Sequence, residues 1–278
     1  KENMHMKKNM KKSDPLGRGR NCSKYTYRML SVTGILSFLL VWQILLETGI
    51  LSDRYISKPT ELVSLFISKL SDPSPDGSTL PVATLASLQV ALTGLLSAIV
   101  TGVPLGLLMG WYKGLDKFFK PIFEIIRPIP PISWIPLTIV WLGIGLKAKA
   151  FIIFFAAFIP CVINSYTGIK LTQQVLINVA KTCGASNFTI FWKVGIPSAM
   201  PMTFAGIRVA FGNAWSTLVA AEMLAANAGL GYMILMGRSF ARPDIIMLGM
   251  VCIGALGALF TFILGIVEKR IVGWRNVK

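Results

Sequence analysis

Between about residues 203 and 225 an apolar stretch carries two charges, Arg208 near one end and Glu222 near the other. A carboxylate in such a setting costs on the order of 2.5–3.5 kcal/mol at the centre of a bilayer. Glu222 therefore has two readings: part of a pathway or gate, or a side chain that reaches the outer surface and does nothing specific. An unpaired carboxylate repels anions, so Glu222 is not a direct anion ligand. Asn213, Ser216 and Thr217 precede it on adjacent faces of the same helix. Their amide and hydroxyls suit an oxyanion, and they suit interhelical hydrogen bonds of about 0.6 kcal/mol equally well. Trp134 and Trp141 either line or close a pore or act as interfacial anchors. Covalent chemistry has little to work with. The single histidine, His5, lies in a polar tail, which excludes His-based zinc sites and Ser-His-Asp triads. Cys22, Cys161, Cys183 and Cys252 are far apart and read as free thiols. No G-x-x-x-x-G-K-[ST] run is present, so the chain holds no nucleotide through a P-loop.

The elements that position these residues follow from composition. The 278 residues are 54% hydrophobic and only 14% charged, where soluble domains carry about a quarter charged residues. Mean hydropathy is +0.64. Uncharged runs cover 29–46, 77–112, 128–146, 150–169 and 245–267, and each approaches or exceeds the roughly 20 residues that cross a bilayer as a helix. Arg208 and Glu222, 14 positions apart, span about 21 Å of helix and so reach opposite faces while the middle crosses. These segments predict an all-α polytopic membrane protein with six transmembrane helices, because backbone amides in lipid must be satisfied within the segment. The ten-residue alternation of a β-barrel is absent.

A net charge of +16 suggests nucleic acid, but its placement does not. Nine Lys/Arg fall between Lys1 and Arg28 immediately before the first apolar run, the pattern of a cytoplasmic anchor on anionic lipid. No aromatic-interleaved RNA motif accompanies them, so nucleic acid is not an expected partner. The first run lacks a small-x-small cleavage site and reads as a signal anchor. With the N-terminus inside, the positive-inside rule places 21 of the 28 basic residues on the cytoplasmic side. The expected layout is a basic cytoplasmic tail 1–28, a first transmembrane helix 29–46 and an extracytoplasmic loop 47–83. A five-helix core 84–268 and a cytoplasmic tail 269–278 complete it. Pro128, Pro130, Pro131 and Pro136 imply that the third span is kinked or starts irregularly, either as cavity-lining backbone or as a bent helix start. Glu124 and Arg127, at i, i+3, are expected to neutralise one another.

The cytoplasmic loop 170–202, between the fourth and fifth spans, is amphipathic. Val175, Val179 and Cys183 form one stripe, Gly184 interrupts, and Phe188, Phe191 and Trp192 form a second that ends at Gly195-Ile196-Pro197. Two short helices joined at a glycine either lie on the lipid interface or dock a cytosolic partner.

The spacing of Asn178-Val179-Ala180, three residues, Gly184, nine residues and Val194-Gly195-Ile196-Pro197 resembles the EAA loop of ABC-importer permeases. Asn178 stands where that family usually has Glu, and Val179 where it usually has Ala. The resemblance runs from about Thr84 to Trp274. It is carried also by Arg127-Pro-Ile-Pro-Pro-Ile-Ser-Trp-Ile-Pro-Leu137, by Trp141-Leu-Gly-Ile-Gly145, by Trp215-Ser-Thr-Leu-Val-Ala-Ala-Glu222 and by Gly229-Leu-Gly-Tyr232. These stretches are similar to permeases for taurine, alkanesulfonates, nitrate and bicarbonate, with the taurine type most alike. The resemblance implies a type I importer permease of the bacterial inner membrane, working as a homodimer. It implies two cytosolic ABC ATPase subunits that bind Mg-ATP, an extracytoplasmic solute-binding protein, and no cofactor in this chain. It further implies that the coupling helix includes Asn178, Val179, Ala180, Gly184, Ala185, Phe188 and Pro197. A self-sufficient secondary transporter would show acid/His relays or a repeated half, and neither is visible.

Overall fold

The computed structural model describes residues 24–49, 56–75, 77–225 and 227–272. Most of the basic tail, with His5 and Cys22, and the end of the chain from 273 lie outside the described residues. The chain divides into two units at Ser52/Asp53. The first contains α1 (Lys24–Glu47), a continuous apolar helix in which Met29–Glu47 is long enough to span.

The second unit holds the remaining elements, and every regular one among the described residues is helical. These are α2 (Pro59–Lys69), α3 (Leu80–Trp111), α4 (Lys113–Ile126), α5 (Ile135–Leu142) and α6 (Leu146–Lys170), then α7 (Gln174–Thr182), α8 (Asn187–Ile190), α9 (Ile196–Ala225), α10 (Leu230–Ser239) and α11 (Pro243–Ile271). A 3₁₀ turn, Pro131–Trp134, precedes α5. Counting α1, five helices are long and apolar enough to cross a membrane, and six crossings result if the bent pair of α4 with 131–142 is one span.

The core is α3, α6 and α9 packed side by side. Lipid tails are as apolar as leucine, so burial does not drive helices together there; close van der Waals contact does, and it needs small residues. Gly94, Gly102, Gly106 and Gly110 follow one stripe of α3 against α6, and a Cβ at Gly94 would lie 2.6 Å from an Ile153 methyl. Gly168 and Gly206 do the same between α6 and α9, where a Cβ at Gly168 would sit 2.8 Å from the Ala199 carbonyl. Around these contacts Val90, Ala98, Ile153, Ala157, Cys161 and Ala210 form the buried cluster.

Three sequence expectations change. The run 128–146 is not one spanning helix: the 3₁₀ turn and α5 together rise only about 20 Å, short of a 30 Å hydrocarbon core. The chain bends by 84° between α4 and 131–142, because Pro128, Pro130 and Pro131 lack amides and push their predecessors out of helical geometry. The second loop helix does not end at Pro197. It continues from Asn187 to Leu224 as one 38-residue run. A π turn at Phe191–Gly195, closed by the Ile196 amide on the Phe191 carbonyl, widens the helix where the Pro197 ring would otherwise strike a carbonyl one turn back. Finally, Glu124 lies 4.0 Å from Lys120 across one turn, and this i, i+4 pair replaces the expected pairing with Arg127.

Candidate functional site

The residues singled out in the sequence fall into three groups. The first is the knob between α6 and α9. Helix α7 ends in a Schellman motif: the Ala185 amide donates to the Ala180 carbonyl at 3.1 Å and the Gly184 amide to Lys181 at 2.9 Å. The motif requires a left-handed residue, and Gly184 supplies it at φ +76°. Ser186 then caps α8, its Oγ accepting from the Thr189 amide at 3.2 Å. The spacing in the sequence is thus two helix ends set back to back.

The knob is anchored from below and bare above. Ile190 and Phe191 are buried, with Phe191 5.6 Å from the Trp111 ring and 6.0 Å from Tyr112. Phe188 and Trp192 face out together at 6.2 Å. The three aromatics therefore do not share one face: Phe188 and Trp192, one turn apart, face out, while Phe191, about 100° round the helix from Trp192, faces in. Exposed apolar side chains run across both helices: Val175 at 68%, Val179 at 57%, Phe188 at 63% and Trp192 at 55%. Asn178 is exposed, accepting from Gln174 at 3.1 Å, and Pro197 is exposed at the junction with α9.

The second group lies on α9. Arg208, Gly212, Asn213 and Ser216 share one exposed stripe at helical spacing. The Ser216 hydroxyl donates to the Gly212 carbonyl at 3.0 Å. Thr217 is turned inward and buried, so the polar trio is split between two faces. Arg208 pairs with Glu268 of α11. Trp134 stacks on Phe155 at 5.0 Å, and Trp141 is exposed at the end of α5.

The third group surrounds Glu222, which is 1% exposed. It does not reach a surface. Oε2 accepts from the Ser87 hydroxyl of α3 at 2.9 Å and from the Gly231 amide at the start of α10 at 2.8 Å. Ser87 Oγ in turn accepts from the Leu230 amide at 2.8 Å. The carboxylate and the serine thus satisfy the first amides of α10, where a negative charge also meets the favourable end of the helix dipole. Gly229, at φ +133°, brings the chain so close that a Cβ would lie 2.5 Å from Glu222 Oε1. Lys149, buried on α6, is the cation whose field reaches this carboxylate. Oε1 accepts no hydrogen bond among the described residues. Ser87 and Lys149 were not legible as partners: Ser87 is one hydroxyl among several in its run, and Lys149 reads as a loop charge.

Near the α2–α11 contact, Arg242 binds Asp244 at 2.6 Å, and this hydrogen bond holds the guanidinium above its ordinary range. No group of His, Cys, Asp and Glu among the described residues is arranged to hold a metal.

Residues 102–273 match the model of the family described as "binding-protein-dependent transport system inner membrane component". A putative ABC transporter permease of Methanocaldococcus jannaschii is 40% identical over 195 residues, covering 70% of this chain and 73% of that one. The taurine transport system permease of Escherichia coli is 31% identical over 247 residues, covering 89% and 90%. Among solved structures, the inward-facing MetNI methionine ABC transporter superposes with a TM-score of 0.54 at 20% identity, over 69% of this chain and 94% of that one, which establishes the likeness of fold. Apolar spanning helices, small-residue packing and the comparisons agree: the chain belongs to the binding-protein-dependent transport system inner membrane components and is a multi-pass permease subunit of an ABC importer, not an enzyme.

Proposed function

We propose that this permease forms the path for a small sulfonate, taurine or a near relative, in a homodimer. Two cytosolic ATPases would hold the α7–α8 knobs, and an extracytoplasmic binding protein would deliver solute at the opposite end. The E. coli taurine permease, aligned over 89% of the chain, supports the substrate class.

One observation carries the mechanism: the exposed apolar knob is continuous with the helix that bears the polar stripe. Asn187–Leu224 is 38 residues without a break, about 57 Å of helix. Displacing the knob therefore moves Asn213, Ser216 and Glu222 as parts of one lever. ATP-driven closure of the ATPases would draw paired knobs together and rock α9 between inward-open and outward-open arrangements. The bias comes from ATP and loaded binding protein each preferring one arrangement. Asn213 and Ser216, exposed on α9, are the path donors for a sulfonate oxygen in this reading, with Trp134 and Trp141 beside the bend as gate candidates. Glu222 acts as a latch on α10 and not as an anion ligand. Asn178, Val179, Ala180, Gly184, Ala185, Phe188 and Pro197 make the coupling element; Ala180, Gly184 and Ala185 shape it, while Val179 and Phe188 are its contact surface.

The test is co-purification of the ATPase with wild-type permease and with Phe188→Asp. Loss of the ATPase from a variant that still inserts and folds supports the reading; unchanged association and solute-stimulated ATPase activity overturn it. Binding of taurine, alkanesulfonates, nitrate and bicarbonate to the cognate solute-binding protein decides the solute.

A further inference from the structure

The buried edge of the helical run that begins at Asn187 changes its period partway along. From Thr203 onward a buried position recurs at 203, 206, 210, 214, 217 and 221, five turns at the ordinary α-helical period. Before Thr203 the edge runs through Phe191, Gly195 and Ala199, every fourth residue. In an α-helix each step of four advances about 40° around the axis, so three steps would carry Phe191 about 120° off the buried side. The π turn at Phe191–Gly195 takes up one residue more than an α turn, which subtracts about 100° and keeps all four positions in line. The packing uses that alignment. Phe191 and Ala199 share a buried cluster with Leu107 and Ile169, and a Cβ at Gly195 would lie 3.1 Å from the Trp111 ring.

We propose that Pro197 sets this register and is the positioning residue that fixes the angle at which the knob presents Phe188 and Trp192. That their partner is an ATPase rests on the function proposed for the knob. The α closure that would replace the π turn pairs the Ile196 amide with the Trp192 carbonyl and next needs a Pro197 amide for Lys193. Pro197 has no amide, and its ring would crowd that carbonyl. The observed closure, with the Ile196 amide on the Phe191 carbonyl, widens the turn and relieves the contact. Pro197 is exposed, so it acts through the backbone and not by filling space. With α9 held at Ala199 and Thr203, an α closure would bring Trp192 onto the buried side in place of Phe191. Phe188, one turn earlier, would turn in with it, and the exposed aromatic pair would be lost.

The test is single-cysteine labelling of the full permease, its other cysteines replaced, with a membrane-impermeant maleimide in inside-out vesicles. It is made without the ATPase, so that docking cannot mimic burial. With Pro197 present, Phe191→Cys should be protected, and Phe188→Cys and Trp192→Cys labelled. Pro197→Ala should shift the protection by one residue, from 191 to 192, and protect 188 as well. Deleting the exposed Lys193 from the Pro197→Ala chain should return protection to 191, because a plain α-helix then has the right number of residues. Solute-stimulated ATP hydrolysis, measured with the ATPase added, should be lost in Pro197→Ala and recovered in the deletion variant. A merely structural proline predicts that the deletion deepens the defect. Unchanged protection at 191 in Pro197→Ala would mean that side-chain packing holds the π turn, and would overturn the proposal. If Pro197→Ala does not insert, the deletion variant decides alone, and labelling at 191 in it would overturn the register. Protection that shifts while hydrolysis stays coupled keeps the role of Pro197 and overturns the docking role of the knob.

Discussion

Ser87 Oγ on α3 lies 2.9 Å from Glu222 Oε2 on α9, across 135 residues of sequence, and the same serine accepts the Leu230 amide at the start of α10. One hydroxyl thereby joins three helices through a buried carboxylate. Two hydrogen bonds offset part of the cost of burying Glu222.

Glu222→Ala should therefore cost about 2–5 kcal/mol, since it leaves the Ser87 hydroxyl and the Gly231 amide buried without an acceptor. Glu222→Gln keeps a carbonyl oxygen for both donors and should stay within about 1.5 kcal/mol of wild type. Thermal unfolding in detergent measures both. If Glu222 is a latch, the Ala variant, which loses both bonds, also transports more slowly while still binding its ATPase.

The loop that reaches Glu222 should tolerate no side chain. In Gly229→Ala the new methyl would overlap the carboxylate and take a φ that L residues rarely adopt; in Gly231→Ala it would sit 2.8 Å from both Glu222 Cβ and the Val219 carbonyl. Each should lower stability by about 1–3 kcal/mol. Combining Gly229→Ala with Glu222→Ala should recover part of the loss, because the shorter side chain removes the overlap. A strictly additive double mutant would show that the two positions do not interact.

On the knob, Val179→Asp and Phe188→Asp change side chains that are 57% and 63% exposed, so folding should change by no more than about 0.5 kcal/mol. Their effect should appear as loss of the ATPase during purification. Gly184→Ala differs: no atom lies within 4 Å of its Cβ, so its cost of about 1–2 kcal/mol comes from the positive φ alone. It should loosen the α7–α8 corner, seen as faster amide exchange there.

The helix interface makes a sharper prediction. A Cβ at Gly106 would overlap the Val162 carbonyl of α6, and backbone cannot step aside as a side chain can. Gly106→Ala should cost about 1–3 kcal/mol. At Gly114, on α4, a Cβ meets nothing within 4 Å, and Gly114→Ala should be neutral or stabilising by up to about 1 kcal/mol. Equal effects at the two sites would contradict the α3–α6 packing.

What the sequence determined is what depends on local composition and spacing. Uncharged runs dictate helices because lipid offers no partner for backbone amides, and the proline cluster at 128–136 dictates a break there. Gly184 marks the break between the two loop helices from residue chemistry alone. Tertiary structure decided what depends on contacts between distant segments. Nothing local says that Ser87 and Lys149 converge on Glu222, that Thr217 turns inward while Ser216 faces out, or that α4 meets 131–142 at 84°. Nor does local pattern reveal that Pro197 is absorbed by a π turn, since a proline stops a helix only where the preceding turn cannot widen. Hydrophobic period fixes which residues are helical; the fit of small residues between neighbouring helices fixes which faces meet, and with them the partners of every buried polar group.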